Sequence, residues 1–221
     1  MNIGFSNIYS FRPHVEHLYY LSLLARQAGH ATFFLTCDSG VSNCYARELK
    51  GTSRLQECPK CVLGGVRSFP VSPVTSISSL PSGLSADQLK LIALSSSCTL
   101  TRTELDTDWQ KADTVHIRDS LLEPISRTYA SARQWIERNR LEAVVCFNGR
   151  MDLTRAVTLA CEHAGIPFVT HERTWFGDGL HMVPNANCLS IAPVNALSRA
   201  YGDKPLTTSQ AMLAAKLAAE R

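Results

Sequence analysis

The stretch Val144-Val-Cys-Phe-Asn-Gly-Arg-Met-Asp-Leu-Thr-Arg155, resumed after a helical segment by Ile166-Pro-Phe-Val-Thr-His-Glu-Arg-Thr-Trp175, decides the fold. Val144 to Phe147 and Ile166 to Thr170 are short apolar runs rich in β-branched and aromatic residues, as expected for strands buried on both faces of a parallel sheet. Between them Leu153, Ala156, Val157, Ala160, Cys161 and Ala164 recur at helical spacing, with Thr154, Arg155, Thr158, Glu162 and His163 opposite. Asp152 is the expected N-cap, Gly165 supplies the left-handed residue past the end, and Pro167 prevents continuation. The unit therefore reads strand, polar turn, helix, strand, polar turn. It sets Asn148, Gly149 and Arg150 beside His171, Glu172 and Arg173 on one sheet edge, where ligands of open parallel sheets bind.

The same alternation runs through the chain. Asn2 to Phe5 is a first strand, Pro13 stands at the start of a helix over Val15 to Ala28 that Gly29 ends, and Ala31 to Thr36 is the second strand. A long helix from about Ser120 to Asn139 buries Leu121, Leu122, Ile125, Tyr129, Ala132, Trp135 and Ile136, and feeds the strand from Leu141 to Phe147. This pattern predicts an α/β fold: a single Rossmann-like, doubly wound parallel sheet spanning residues 1–221, with a cysteine-containing irregular insertion at 37–106.

Composition narrows the function classes. A net charge of +3 over 221 residues gives no electrostatic case for nucleic acid. No apolar run reaches the ~18 residues of a membrane span, and Met-Asn-Ile-Gly-Phe-Ser-Asn looks like a strand rather than a secretion signal. A cytoplasmic location with reduced cysteines is expected. The Gly-x-Gly-x-x-Gly, P-loop and Gly-x-Ser-x-Gly signatures of dinucleotide, nucleotide and acyl-transfer chemistry do not occur.

Of the eight cysteines, Cys146 and Cys161 fall in apolar patterns and read as small core residues, while Cys98 and Cys188 stand singly. Cys37, Cys44, Cys58 and Cys61 share one polar segment with the spacing C-x6-C-x13-C-x2-C. The C-x2-C half can present two thiolates to one zinc from a tight turn, and a structural zinc would order a segment with few periodic apolar residues. An iron–sulfur cluster and unligated thiols are the alternatives. From Val62 to Asp106 the sequence is least regular. Ser, Pro, Thr and Gly dominate residues 68–83, and Ser85 with Gln88 fits a capping box opening a short helix to about Ser95. Pro205 to Arg221 reads as a helix with Met212, Leu213, Leu217 and Ala218 on one face.

At the sheet edge, Glu172 is a candidate general base, the alternative being an ion pair that closes the loop. His171 is a candidate for orienting a hydroxyl or accepting its proton, or a structural donor. Arg150, beside a glycine turn and a helix start, suits phosphate or carboxylate, with an ion pair to Glu172 or Asp152 as the plain reading. Asn148 can hydrogen-bond a hydroxyl or close its turn, and Gly149 gives that turn its backbone freedom. Asp38 is either a catalytic carboxylate or a holder of the cysteine loop. Ser6, Asn7, Arg12 and His14 follow the first strand, and Trp175 and Phe176 offer either a stacking surface or a loop anchor.

The Cys-Asp-Ser-Gly after the second strand, the Cys-Pro-Lys-Cys downstream, the Phe-Asn-Gly-Arg turn and the Gly-Ile-Pro leading to His-Glu-Arg together resemble the N-terminal half of bacterial capsular and surface polysaccharide biosynthesis glycosyltransferases. The resemblance extends from Met1 to about Leu197. It implies the two-Rossmann architecture called GT-B, in which this half receives the acceptor glycan and a C-terminal domain grips the nucleotide sugar donor. Given the acceptor role that the resemblance implies for this half, Glu172 and His171 are the candidate catalytic residues, and Asn148, Gly149, Arg150, Arg173, Asp38, Arg12 and His14 the candidate substrate contacts. Nothing in the chain matches the residues of such proteins that bind the donor diphosphate, so a donor-binding domain is an implied partner, and inverting and retaining transfer are both open. The rival class is a non-catalytic, zinc-stabilised module that binds a glycan or a partner domain.

Overall fold

Among the described residues six strands form one sheet, in the order β3-β2-β1-β4-β5-β6. The computed structural model describes residues 1–78, 82–174 and 179–219. In chain order its elements are β1 (Asn2–Asn7), α1 (His14–Gln27), β2 (Ala31–Thr36), α2 (Tyr45–Lys50), α3 (Arg54–Gly64), β3 (Val74–Ser76), α4 (Ala86–Thr101), α5 (Ala112–Ser120) and α6 (Leu122–Asn139). Then follow β4 (Ala143–Phe147), α7 (Asp152–Ala164), β5 (Phe168–Arg173), β6 (Leu180–Pro184), α8 (Ile191–Tyr201) and α9 (Thr208–Ala219). β3, β2, β1, β4 and β5 run parallel, and β6 returns antiparallel along β5. This is a Rossmann-like sheet, and its strand order reverses between β1 and β4, the point where such sheets open a crevice.

Helices cover both faces. On one face Phe5 and Phe34, opposite each other in the β1–β2 register and stacked at 5.6 Å between ring centroids, pack with Val15 and Leu18 of α1 and with Val66. On the other, Leu35, Val144, Cys146 and Phe168 pack against Ile92 and Ala93 of α4, Ile125, Ala132 and Trp135 of α6, and Leu153, Ala156, Val157 and Ala160 of α7. The indole of Trp135 lies against Gly4, where a Cβ would come within 2.4 Å of the ring. The predicted βαβ unit is present with its left-handed Gly165 cap, and Cys146 and Cys161 are buried thiols.

The segment read as an irregular insertion is more ordered than its composition suggests. Val74 and Thr75 are β-branched and pair with Phe34 and Leu35, so a three-residue edge strand continues the sheet where a loop was expected. A Ser53–Gln56 capping box starts α3, and the C-x2-C pair lies on that helix rather than in a tight turn. Val41, Tyr45 and Ala46 are buried in the main core and hold this region to the sheet. The predicted Ser85–Gln88 capping box starts α4, which runs on to Thr101 rather than stopping near Ser95, because Ile92, Ala93, Ser96 and Ser97 are buried. Asp152 is the first residue of α7 rather than its N-cap, and it points inward. Helices α8 and α9 bury no residue. Among the described residues no helix is long and apolar enough to cross a membrane.

Candidate functional site

The turn after β4 is shaped by two consecutive left-handed residues, Asn148 (φ 58°) and Gly149 (φ 77°). Asparagine tolerates that region because its short amide satisfies the local backbone, and here Asn148 Oδ1 accepts from the Arg150 N–H at 3.1 Å. At Gly149 a Cβ would fall 2.5 Å from the Thr170 Cγ2, so no larger residue fits. The turn is fastened to its neighbours: the Asn148 N–H donates to the His171 carbonyl at 2.9 Å, and the Cys188 N–H donates to the Asn148 carbonyl at 3.0 Å.

Glu172, one residue beyond the β4–β5 pairing, is the best-oriented carboxylate of this edge. Its Oε2 accepts from Asn148 Nδ2 at 3.1 Å, its Oε1 accepts from the Arg173 N–H at 3.1 Å, and His14 Nε2 lies 3.1 Å from Oε1. Asn148, Glu172, Arg173, His14 and Arg12 line one cleft of about 520 Å³ with Pro13, Met151, Thr174 and Leu189. A second cleft of about 400 Å³ shares Glu172 and Arg173 and continues along His181, Leu189, Ile191 and Val194. Five candidates from distant positions, Arg12, His14, Asn148, Glu172 and Arg173, thus meet at the switch point.

The other candidates lie elsewhere. His171 is fully buried beneath the cleft, on the α1 face of β5. Burial pushes its pKa down to about 3, and the neighbouring His14 and His17 add to that. Arg150 turns away: its Nη1 donates to Ser95 Oγ at 3.0 Å and Thr99 Oγ1 at 3.1 Å on α4, and it lines a separate groove of about 440 Å³ with Gln88, Leu91 and Asn187. Asp38 is gripped by Arg67, whose Nε donates to both carboxylate oxygens at 2.9 and 3.0 Å, and by the Ser76 and Thr36 hydroxyls. Burial raises its pKa, but these bonds outweigh burial and hold it below the ordinary carboxylate value. Asp38 therefore ties the end of β2 to β3 and to the turn at Arg67. Ser6 and Asn7 are buried at the end of β1, and Trp175 and Phe176 lie outside the described residues.

Cys37 follows β2, Cys44 precedes α2, and Cys58 and Cys61 stand on α3. Burial pushes the thiol of Cys37 up to about 11 and that of Cys44 up to about 12, and Cys61 lies close enough to add to both. These four sulfurs do not form a group of ligand atoms within 4.8 Å of one another. Among the described residues, the group of three or more His, Cys, Asp or Glu that does is His14, His17 and His171. His17 was missed at the sequence level. Its signal was the His14-x-x-His17 spacing, which puts both rings on one side of a helix, but the third partner is more than 150 positions away along the chain.

The site also rests on a buried support. The Asp152 carboxylate accepts from the Tyr9 hydroxyl and, at 3.0 Å, from the Tyr45 N–H, while its own N–H donates to Ser96 Oγ at 2.8 Å. Burial raises the Asp152 pKa, opposed by those hydrogen bonds. One side chain thereby links the loop after β1, the start of α2 and the start of α7.

Comparison of the sequence with protein-family models and with curated proteins gave no match.

Proposed function

We propose that this chain is the acceptor-side domain of a glycosyltransferase of capsular or surface polysaccharide assembly, with Glu172 as the base that takes the proton from an acceptor hydroxyl. The observation that carries this reading is Glu172 itself: both its oxygens are held by neighbours while the carboxylate lines a cleft at the switch point. A general base must be positioned before its basicity matters, and an anchored carboxylate loses little freedom on reaction. Asn148, Arg12 and Arg173 line the same cleft and supply hydrogen-bonding groups of the kind hydroxyl-rich ligands need. In this reading Arg150 and Asp38 serve the scaffold, and His171 acts from beneath the cleft rather than on the acceptor.

A nucleotide sugar is the donor in the proposed reaction, held by a second domain. Support for a docking partner comes from α8 and α9, whose Ile191, Val194, Leu197, Met212 and Leu213 are exposed apolar residues. The same exposure favours the second reading, a non-catalytic module that binds a glycan or partner domain. The cysteine quartet as a structural zinc site belongs to both readings, as does the cytoplasmic location. The sulfurs would have to draw together around the ion, and loss of bound zinc in Cys58→Ser tests this.

The purified chain, applied to an array of bacterial surface oligosaccharides, is expected to retain a defined subset. Arg173→Ala should weaken that binding about tenfold or more, the scale of one lost charge-assisted hydrogen bond. Glu172→Gln should leave binding in place but abolish transfer when the donor domain and a panel of nucleotide sugars are supplied. No oligosaccharide retained, or retention indifferent to Arg173→Ala, contradicts the site. Transfer undiminished in Glu172→Gln contradicts the base, whereas glycan retention with no transfer by the unaltered chain favours the non-catalytic module.

A further inference from the structure

Beneath the Glu172 cleft, three imidazoles from opposite ends of the chain meet with no protein partner for their inward atoms. His14 and His17 stand one turn apart on α1, and His171 comes from β5. Their ring centroids form a nearly equilateral triangle with sides of 5.9, 6.3 and 6.4 Å. One ligand nitrogen of each lies within 4.8 Å of the other two. Both nitrogens of the fully buried His171, with Nδ1 of His14 and Nδ1 of His17, are buried and make no hydrogen bond.

A buried polar atom left unsatisfied has lost its water without gaining a partner, and this cluster holds four such atoms in one place. Ordinary side-chain partners are not at hand, since Phe147 packs on His14 at 4.2 Å and near His171 at 6.0 Å between centroids. A cation that accepts three lone pairs at once satisfies the cluster. We infer that His14, His17 and His171 form a binding site for a zinc-class divalent transition-metal ion, and that Glu172 is the outer carboxylate that orients His14.

Three features support it. Imidazole nitrogen is the commonest ligand of such ions, and all three rings stand on regular elements, two on α1 and one on β5. At 3.1 Å from Glu172 Oε1, His14 with its proton on Nε2 points that proton at the carboxylate and leaves the lone pair on the unpartnered Nδ1. That is the carboxylate–histidine–metal arrangement found around ligating histidines. Nitrogens sharing a tetrahedral ion at bond lengths near 2.0–2.1 Å sit about 3.3 Å apart, so closing the triangle asks each ring to move by roughly 1 Å. Three imidazoles leave a fourth position of such an ion for another donor. The inference is independent of sugar transfer and stands or falls by metal binding alone.

The test uses the full chain, stripped with chelator and titrated with zinc chloride, with cobalt chloride as the spectroscopic probe. Apart from any ion at the cysteine quartet, one ion per chain is expected whose cobalt spectrum lacks the intense near-ultraviolet thiolate band, with zinc shifting the imidazole resonances of His14, His17 and His171. His17→Gln should weaken that ion by more than the ~10–100-fold typical of losing an outer-shell partner, and Glu172→Gln by about that range. Cys58→Ser should leave it unchanged. A melting curve verifies that His17→Gln folds, and the imidazole shifts test the site on the unaltered chain. Imidazole resonances unmoved by zinc, affinity unchanged in His17→Gln, or no ion left bound once Cys58→Ser has removed that of the cysteine quartet would overturn the inference.

Discussion

Asn148 and Glu172, at the ends of adjacent strands and 24 positions apart, meet through a 3.1 Å hydrogen bond from the Asn148 amide to the Glu172 carboxylate. Because Asn148 also caps its own turn by accepting the Arg150 N–H, one side chain fixes both the turn and the carboxylate. Asn148→Ala should therefore lower stability by about 1–2 kcal/mol and weaken oligosaccharide retention, whereas Asn148→Asp should keep the turn while setting a second carboxylate against Glu172. Denaturant melts paired with array binding separate the two effects.

Gly149 admits no side chain. Its φ of 77° and the 2.5 Å approach of a built Cβ to Thr170 combine left-handed strain with overpacking. Gly149→Ala should destabilise by about 2–4 kcal/mol, read as a fall in the urea midpoint with an unchanged slope.

Asp152 should behave as a structural anchor. Asp152→Ala strands the buried Tyr9 hydroxyl and the Tyr45 N–H, for a loss of about 2–5 kcal/mol. Asp152→Asn retains one acceptor oxygen and should lose less. Equal losses in the two variants would mean that packing, not hydrogen bonding, sets the effect.

The Asp38–Arg67 pair gives a pH signature. Folding lowers the Asp38 pKa, so the folded chain binds its proton less readily than the unfolded one. The stabilisation is present above the unfolded value of about 3.9 and is lost as pH falls through the folded value. Asp38→Asn should flatten the decline of the melting temperature below about pH 4 while leaving the profile at neutral pH parallel to that of the unaltered chain.

Much of this architecture was legible in the residues. The apolar runs at Val144–Phe147 and Ile166–Thr170, the Gly165 cap and the Ser85–Gln88 box each carry a local physical signal, and elements formed there, the second strand beginning at Phe168 and running on to Arg173. What escaped depends on tertiary context. β3 is three residues long and is a strand because Phe34–Thr36 offers it an edge, and α4 extends past Ser95 because a core receives it. β6 pairs back along β5 after residues whose pattern gave no strand signal. At the site, sequence placed Asn148 and Glu172 on one edge. It could not show that Arg150 turns toward α4, that Asp38 is taken by Arg67, or that His17 completes a triad with His171, since each depends on a partner remote in sequence.

The most direct test of the proposed acceptor site is a backbone NMR titration of the chain with the tightest oligosaccharide from the array. Shifts concentrated at Arg12, His14, Asn148, Gly149, Glu172 and Arg173 are the expected result. Shifts confined to the groove around Gln88 and Leu91, or to α8 and α9, would contradict a ligand site at the β4–β5 edge.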